Sequence, residues 1–256
     1  MDSKILEREA YTFLSQEKFE EAFRLFKKAA QGYRHEGNHR ESALCYASAA
    51  SCWSKKSGEH IFYNAATCYE KAAIEAQKGL DYEYASLLFK YAAITHERDG
   101  EFLDFSKCFY RSKESMRRFL NLALFRPSKI PENSGVSAAG KEKGFFKKLY
   151  SWFILTFSYI IWGHGERPHK TFFSGLLIIL LFSFFYMSCH LSDSQKVFSP
   201  DFFDSLYFSV VTFTTVGYGD FVPVGIAKIG STLESLAGLF IIPLFVISLS
   251  RKYLRA

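Results

Sequence analysis

The chain is 256 residues long, room for two modest domains, and its formal net charge of +6 sits mainly in a linker and beside apolar runs, with no nucleic-acid motif to claim it. No nucleic-acid partner is therefore expected. Cys45, Cys52, Cys68, Cys108 and Cys189 show no Cys-X-X-Cys spacing and no paired His, so they read as small core residues and exclude a disulfide framework. Histidines such as His35, His39, His60 and His96 are scattered on a predicted helical surface and read as solvated. With no catalytic constellation, neither an enzyme nor a resident cofactor is expected.

Residues 1–125 are charged and rich in Ala, Tyr and Phe, with no Pro until Pro127. A shift of 43 residues places Ala22 on Ala65, Phe26 on Tyr69, Ala29 and Ala30 on Ala72 and Ala73, Tyr46 on Phe89, and Ala49 and Ala50 on Ala92 and Ala93. Within each unit these positions recur at i, i+4, i+7 and i+8, which is one face of a helix. Small alanines let neighbouring helices approach while the aromatic fills the groove. Turns near Gly37-Asn38, Gly58, Gly79 and Gly100 predict helices about twenty residues apart, stacked as antiparallel hairpins. This pattern resembles a tetratricopeptide array or its longer-helixed relative, the SNAP-like solenoid, over roughly residues 5–120. The full Trp-Leu-Gly-Tyr consensus is absent, and its nearest remnant is Leu14 with Phe19, Glu20, Glu21 and Ala22. The resemblance implies a concave face for a peptide or protein ligand; a platform that packs on its own copies or on the membrane is the other reading.

Residues 126–143 are a polar Pro/Gly/Ser/Ala linker. The segment 144–164 is expected as an interfacial amphipathic helix, because its apolar run of 14 residues, 149–162, is short for a span. Lys141, Lys143, Lys147 and Lys148 precede it, and Arg167, His169 and Lys170 follow. Three placements fit: along the inner membrane face with its lysines near lipid phosphates, a third span starting at Phe145, or burial against the first domain. The Gly163-His164-Gly165-Glu166-Arg167-Pro168 stretch is a turn that re-aims the chain.

A helix rising about 1.5 Å per residue needs about 20 apolar residues to cross about 30 Å of hydrocarbon. Residues 171–191 supply 21 without an acid, Lys or Arg, and 226–250 supply a second run interrupted by Lys228 and Glu234. Between them, 201–214 is aromatic and β-branched, and periodicity leaves strand and helix both open. Thr-Thr-Val-Gly-Tyr-Gly-Asp follows at 214–220. Successive carbonyls can face one axis only if alternate residues enter the left-handed region, which glycine does without steric cost. Gly217 and Gly219 stand at alternate positions.

This run resembles the selectivity filter of potassium channels, in which four Thr-Val-Gly-Tyr-Gly strands ring an axis and their carbonyls replace the hydration shell of the ion. The resemblance covers 165–256 and is to two-span, pore-only potassium channels of prokaryotic type. It implies an outer helix at 171–191, a pore helix at 201–214, the filter at 214–220 and an inner helix at 226–250. On that pattern the carbonyls of Thr215, Val216, Gly217 and Tyr218 hold potassium ions, the Thr215 hydroxyl adds an oxygen, and Gly219 completes the strand. Thr214, Asp220, Val211, Tyr207 and Phe208 would support it. Tyr207 and Phe208 stand where some relatives carry a Trp pair, implying a less hydrogen-bonding cuff. Val211 stands where several carry a glutamate near the aspartate corresponding to Asp220, which implies weaker inactivation. Gly238 is a gating hinge or a close-packing glycine, and Pro243 should kink the inner helix. Glu234 faces either the water-filled cavity or the back of the pore helix, where Thr212 is one partner.

The connection 190–225 holds Asp193, Asp201, Asp204 and Asp220 against Lys196, while the bases lie outside the spans, so both termini are expected in the cytoplasm of a cell-membrane protein. Around a tetramer the outward loops would carry about −12, which concentrates cations at the mouth. No cleavable signal peptide, arginine-rich voltage sensor or carboxy-terminal ligand-gating domain is expected, so regulation would enter from the amino-terminal side or from lipid. The expected fold is all-α, a cytoplasmic α-solenoid of helical hairpins followed by a two-span pore module with re-entrant pore helix and filter. The expected function is passive potassium conduction by a homotetramer. The alternative is a membrane-tethered repeat adaptor with a non-conducting or less selective cation pore.

Overall fold

A computed structural model describes residues 2–54, 61–129, 144–193 and 195–253. The chain forms two compact units, 1–157 and 158–255. Six helices build most of the first: α1 Ser3–Ser15, α2 Phe19–His35, α3 His39–Ser54, α4 Ile61–Lys78, α5 Tyr82–Asp99 and α6 Phe102–Phe125. Each packs on the next in sequence, as expected of stacked hairpins. The repeat positions are core positions: Ala22, Ala29, Ala30, Ala65, Ala72, Ala73, Ala49, Ala50, Ala92 and Ala93 are buried together with Phe26, Tyr46 and Phe89.

Four of these helices end the same way. At the ends of α1, α2, α4 and α5 the left-handed residue is Glu17, Gly37, Leu80 or Gly100. The next amide bonds back across five residues: Lys18 to Phe13, Asn38 to Tyr33, Asp81 to Ala76 and Glu101 to His96. This is the Schellman arrangement, which satisfies orphaned terminal carbonyls. Glycine marks only two of the four left-handed positions, which is why the corner between α1 and α2 left no glycine signal in the sequence. Gly58 and His60 lie outside the described residues, and so does most of the expected linker, 130–143; a 3₁₀ turn at Pro127–Lys129 leads into it.

Helix α7, Phe145–Ile161, has no buried residue among those described, and the division between the two units falls within it. The second unit continues with α8 Pro168–Met187, α9 Phe202–Phe213 and α10 Ala227–Tyr253. Among the described residues, α8 and α10 are long and apolar enough to cross a membrane. The outer helix is displaced from the expected 171–191: Pro168 opens it in the first turn, where its missing N–H costs nothing, and it closes at Met187.

The residues beyond it form strand β1, His190–Ser192, which pairs antiparallel with β2, Val197–Phe198, and with β3, Val222–Val224. The sheet order is β2-β1-β3, so Pro223 lies on an edge strand, the place a residue without an N–H is tolerated. Leu191 in the central strand packs into a cluster with Tyr186, Cys189, Phe208 and Ala227. Strands of two or three residues carry too little alternation for a sequence pattern to show them.

Candidate ion-conduction site

The 201–214 segment, ambiguous by periodicity, is a helix because its start is capped. The Asp201 carboxylate accepts the Asp204 amide at 2.8 Å, and both acids lie at the positive end of the helix dipole. At the other end the chain leaves α9 without leaving its influence. The amides of Thr215, Val216 and Gly217 donate back to the carbonyls of Thr212 (3.0 Å), Val211 (3.1 Å) and Val211 (3.4 Å). These peptides are trans, so the carbonyls of Thr214, Thr215 and Val216 point away from α9. Positive φ recurs at Thr215 (57°), Gly217 (57°) and Gly219 (81°), the alternation a carbonyl-lined strand needs. Thr215 is the one the sequence did not announce, since a threonine there is strained. Val216 and Tyr218 are 52% and 71% exposed, so their side chains are not covered by the rest of the chain.

The strand is also tied at its far end. The Tyr207 hydroxyl donates to Asp220 Oδ2 at 2.7 Å, and that bond holds the Asp220 carboxyl below the usual aspartate range. The cuff was expected to be less hydrogen-bonding, but Tyr207 supplies the partner that Val211 cannot. Phe208 is buried edge-on against Tyr186, ring centroids 4.8 Å apart, and Val211 contributes its carbonyl to the strand.

Glu234 faces the pore helix, fully buried. It accepts from the Tyr186 hydroxyl of α8 at 2.8 Å and from the Ser209 hydroxyl of α9. Its partners are therefore these two hydroxyls; Thr212, considered from the sequence, is not one of those bonds. An ionisable group inside a span is costly, and the two hydrogen bonds it accepts offset part of that cost. Nothing in local spacing links residues 186 and 234. Gly238 lies on the same face one turn on, against the carbonyl of Phe213, and any Cβ there would collide with it. Close packing is thus the role its surroundings require. Helix α10 continues through Pro243 to Tyr253.

The ion channel family model matches residues 174–255. Residues 174–255, about a third of the chain, thus carry an ion-channel domain. A second model, that of the soluble NSF attachment protein, SNAP, matches residues 3–112, which cover α1 to α5 and the first part of α6. No curated protein and no solved structure matches the chain. The channel domain holds the two apolar helices, which makes the molecule a membrane protein, and the SNAP-like domain holds the repeat.

The SNAP-like domain corrects two expectations. His96 is buried, not solvated, and its Nε2 donates to Glu70 Oε1 at 2.8 Å. Cys108 lies beside them: one ligand atom each from Glu70, His96 and Cys108 falls within 4.8 Å of the others. The cysteine that lacked a paired histidine in sequence has one in space, brought by three consecutive helices. Metal-binding histidine normally donates its second ring nitrogen to an acceptor, whereas His96 Nδ1 is buried without one. Burial then Glu70 push the Cys108 thiol up, away from thiolate. These features fit a hydrogen-bonded core cluster better than a metal site.

Proposed function

We propose that the protein is a potassium-selective channel that conducts passively as a homotetramer in a cell membrane, its filter strand being 214–220. The observation that carries this is the combination, in one segment, of the Thr-Val-Gly-Tyr-Gly order with left-handed backbone at Thr215, Gly217 and Gly219 and amides turned back onto the pore helix. Carbonyls of Thr215, Val216, Gly217 and Tyr218 then supply hard oxygen ligands suited to a dehydrated monovalent cation. One chain supplies one strand, and the exposure of Val216 and Tyr218 fits a site completed by copies of itself. The basic residues flanking the spans, with only Lys196 in the connection between them, support a cytoplasmic location for both termini.

Regulation enters through the SNAP-like domain. A groove of about 280 Å³ lined by Tyr11, Tyr69, Tyr84 and Tyr91 with Leu44 and Leu88 offers the apolar, hydroxyl-edged surface that a peptide or protein ligand uses. The test is purified protein in a planar bilayer under unequal potassium and sodium. Reversal near the potassium equilibrium potential, barium block and loss of current in Gly217→Asp are expected. Reversal near zero would leave a less selective cation pore. Silence from a verified tetramer, persisting after deletion of 1–125, would favour the adaptor.

A further inference from the structure

Two contacts between α10 and α9 lie in register. Glu234 and Gly238 are four residues apart on the inner helix, and Ser209 and Phe213 are four apart on the pore helix, so both pairs present one face. Glu234 accepts from Ser209, while Gly238 lets the α10 backbone close on the Phe213 carbonyl. Tyr186 of α8 donates to the other carboxylate oxygen at 2.8 Å. The Ser209 hydroxyl has a second acceptor within reach, the Ile179 carbonyl at 2.9 Å. A hydroxyl carries one hydrogen, so Ser209 gives it either to Glu234 or to Ile179, and only the bond to Glu234 ties α9 to the inner helix. Phe213 is followed at once by Thr214, and the Val211 carbonyl between the two contacts holds the Val216 and Gly217 amides.

We propose that Glu234 is a positioning residue for conduction: a buried hydrogen-bond acceptor on the inner helix that clamps the pore helix between the two spans and thereby holds the filter strand in its ion-ready shape. Because packed helices move between discrete arrangements rather than deforming smoothly, a slide of the inner helix must break the Glu234–Ser209 bond or displace the Phe213 carbonyl. Either way the strand feels it. The clamp is thus the route by which inner-helix movement reaches the filter. This inference rests on the potassium-channel reading above.

The test uses the full-length protein in lipid, with two readouts: the potassium-to-sodium permeability ratio from reversal potentials, and hydrogen exchange at the amides of Thr215, Val216 and Gly217. In Glu234→Ala, exchange at these amides should rise up to about tenfold, as loss of a buried hydrogen bond implies, and the permeability ratio should fall. Glu234→Gln, whose side-chain carbonyl still accepts, should recover most of both. Tyr186→Phe and Ser209→Ala should each give part of the effect. Unchanged exchange and permeability in folded Glu234→Ala would overturn the proposal, as would an equal loss in Glu234→Gln and Glu234→Ala. If Glu234→Ala does not fold, Ser209→Ala carries the test with the same two readouts. A wild-type protein that fails to select potassium would sink the channel reading alone, because the exchange comparison still decides whether Glu234 holds the strand.

Discussion

The two units use the same residue types against different solvents. In the SNAP-like domain the aromatic at a repeat position is sealed, as Phe26 is at 0% exposure, whereas Phe240 of the inner helix stands at 66%. A water-soluble helix stack gains by hiding such rings. A membrane helix gains nothing by hiding them from lipid, so its contacts depend on small residues and on polar groups that cannot be left alone. Ala29 and Ala72 play the first part in the repeat; Gly238 plays it in the channel. The second part differs more. The buried acid of the channel, Glu234, meets two neutral hydroxyls in its interior. Glu75, the corresponding buried acid of the repeat, meets the cations Lys78 at 2.9 Å and Arg34 at 3.4 Å at the rim, together with the His39 ring at 2.8 Å. An acid near water can borrow charge from flexible side chains, but one inside a span must be satisfied by groups already fixed there.

Substitutions sharpen this contrast. The largest effect is expected from Gly238→Val, whose side chain would occupy the position of the Phe213 carbonyl; folded protein on gel filtration and ion current should both be lost. In the repeat, where the contact is side chain on side chain, Phe26→Ala should cost about 3–5 kcal/mol by leaving a cavity. Thermal unfolding of the first unit should fall accordingly while the channel transition stays in place; a joint shift of both transitions would break the comparison.

A third expectation concerns pH. Burial pushes the Glu75 carboxyl up, but hydrogen bonds from Lys78 and His39 and the nearby charges outweigh it and hold it below the ordinary range. A depressed carboxyl contributes stability above its unfolded value, about pH 4.3, and loses it as pH falls through the folded value. Melting of the repeat should therefore drop on acidification below about pH 4, and Glu75→Gln should flatten that dependence. The smallest effect is expected at Leu80, which holds a left-handed conformation at φ 61°. Leu80→Gly should relieve about 1 kcal/mol of strain, whereas Gly37→Ala at the equivalent corner should introduce a similar cost, both read as shifts in melting temperature.

The two units also differed in how much could be read in advance. A repeat declares itself because one packing solution is written several times, so the alanine and aromatic positions were legible before any coordinates. Its corners were half legible, through Gly37 and Gly100, and missed where Glu17 takes the left-handed place. In the channel unit the Thr-Val-Gly-Tyr-Gly order was legible, whereas the hydroxyl from Tyr207 to Asp220 and the pair holding Glu234 were not. The short strands His190–Ser192 and Val222–Val224 were also hidden, since their pairing is 30 residues or more distant in the chain and their length is below any pattern.

By itself the sequence determined the all-α plan, the repeat with its buried face, the two apolar helices and the glycines at alternate filter positions. These follow from composition and spacing, which act through local backbone preference and helix periodicity. Only the tertiary structure decided which way Glu234 points, why Gly238 has no side chain, and that Cys108 shares its surroundings with Glu70 and His96. Those outcomes depend on which distant helices come within hydrogen-bonding or van der Waals range, and that is set by packing of the whole unit, not by any stretch of chain within it.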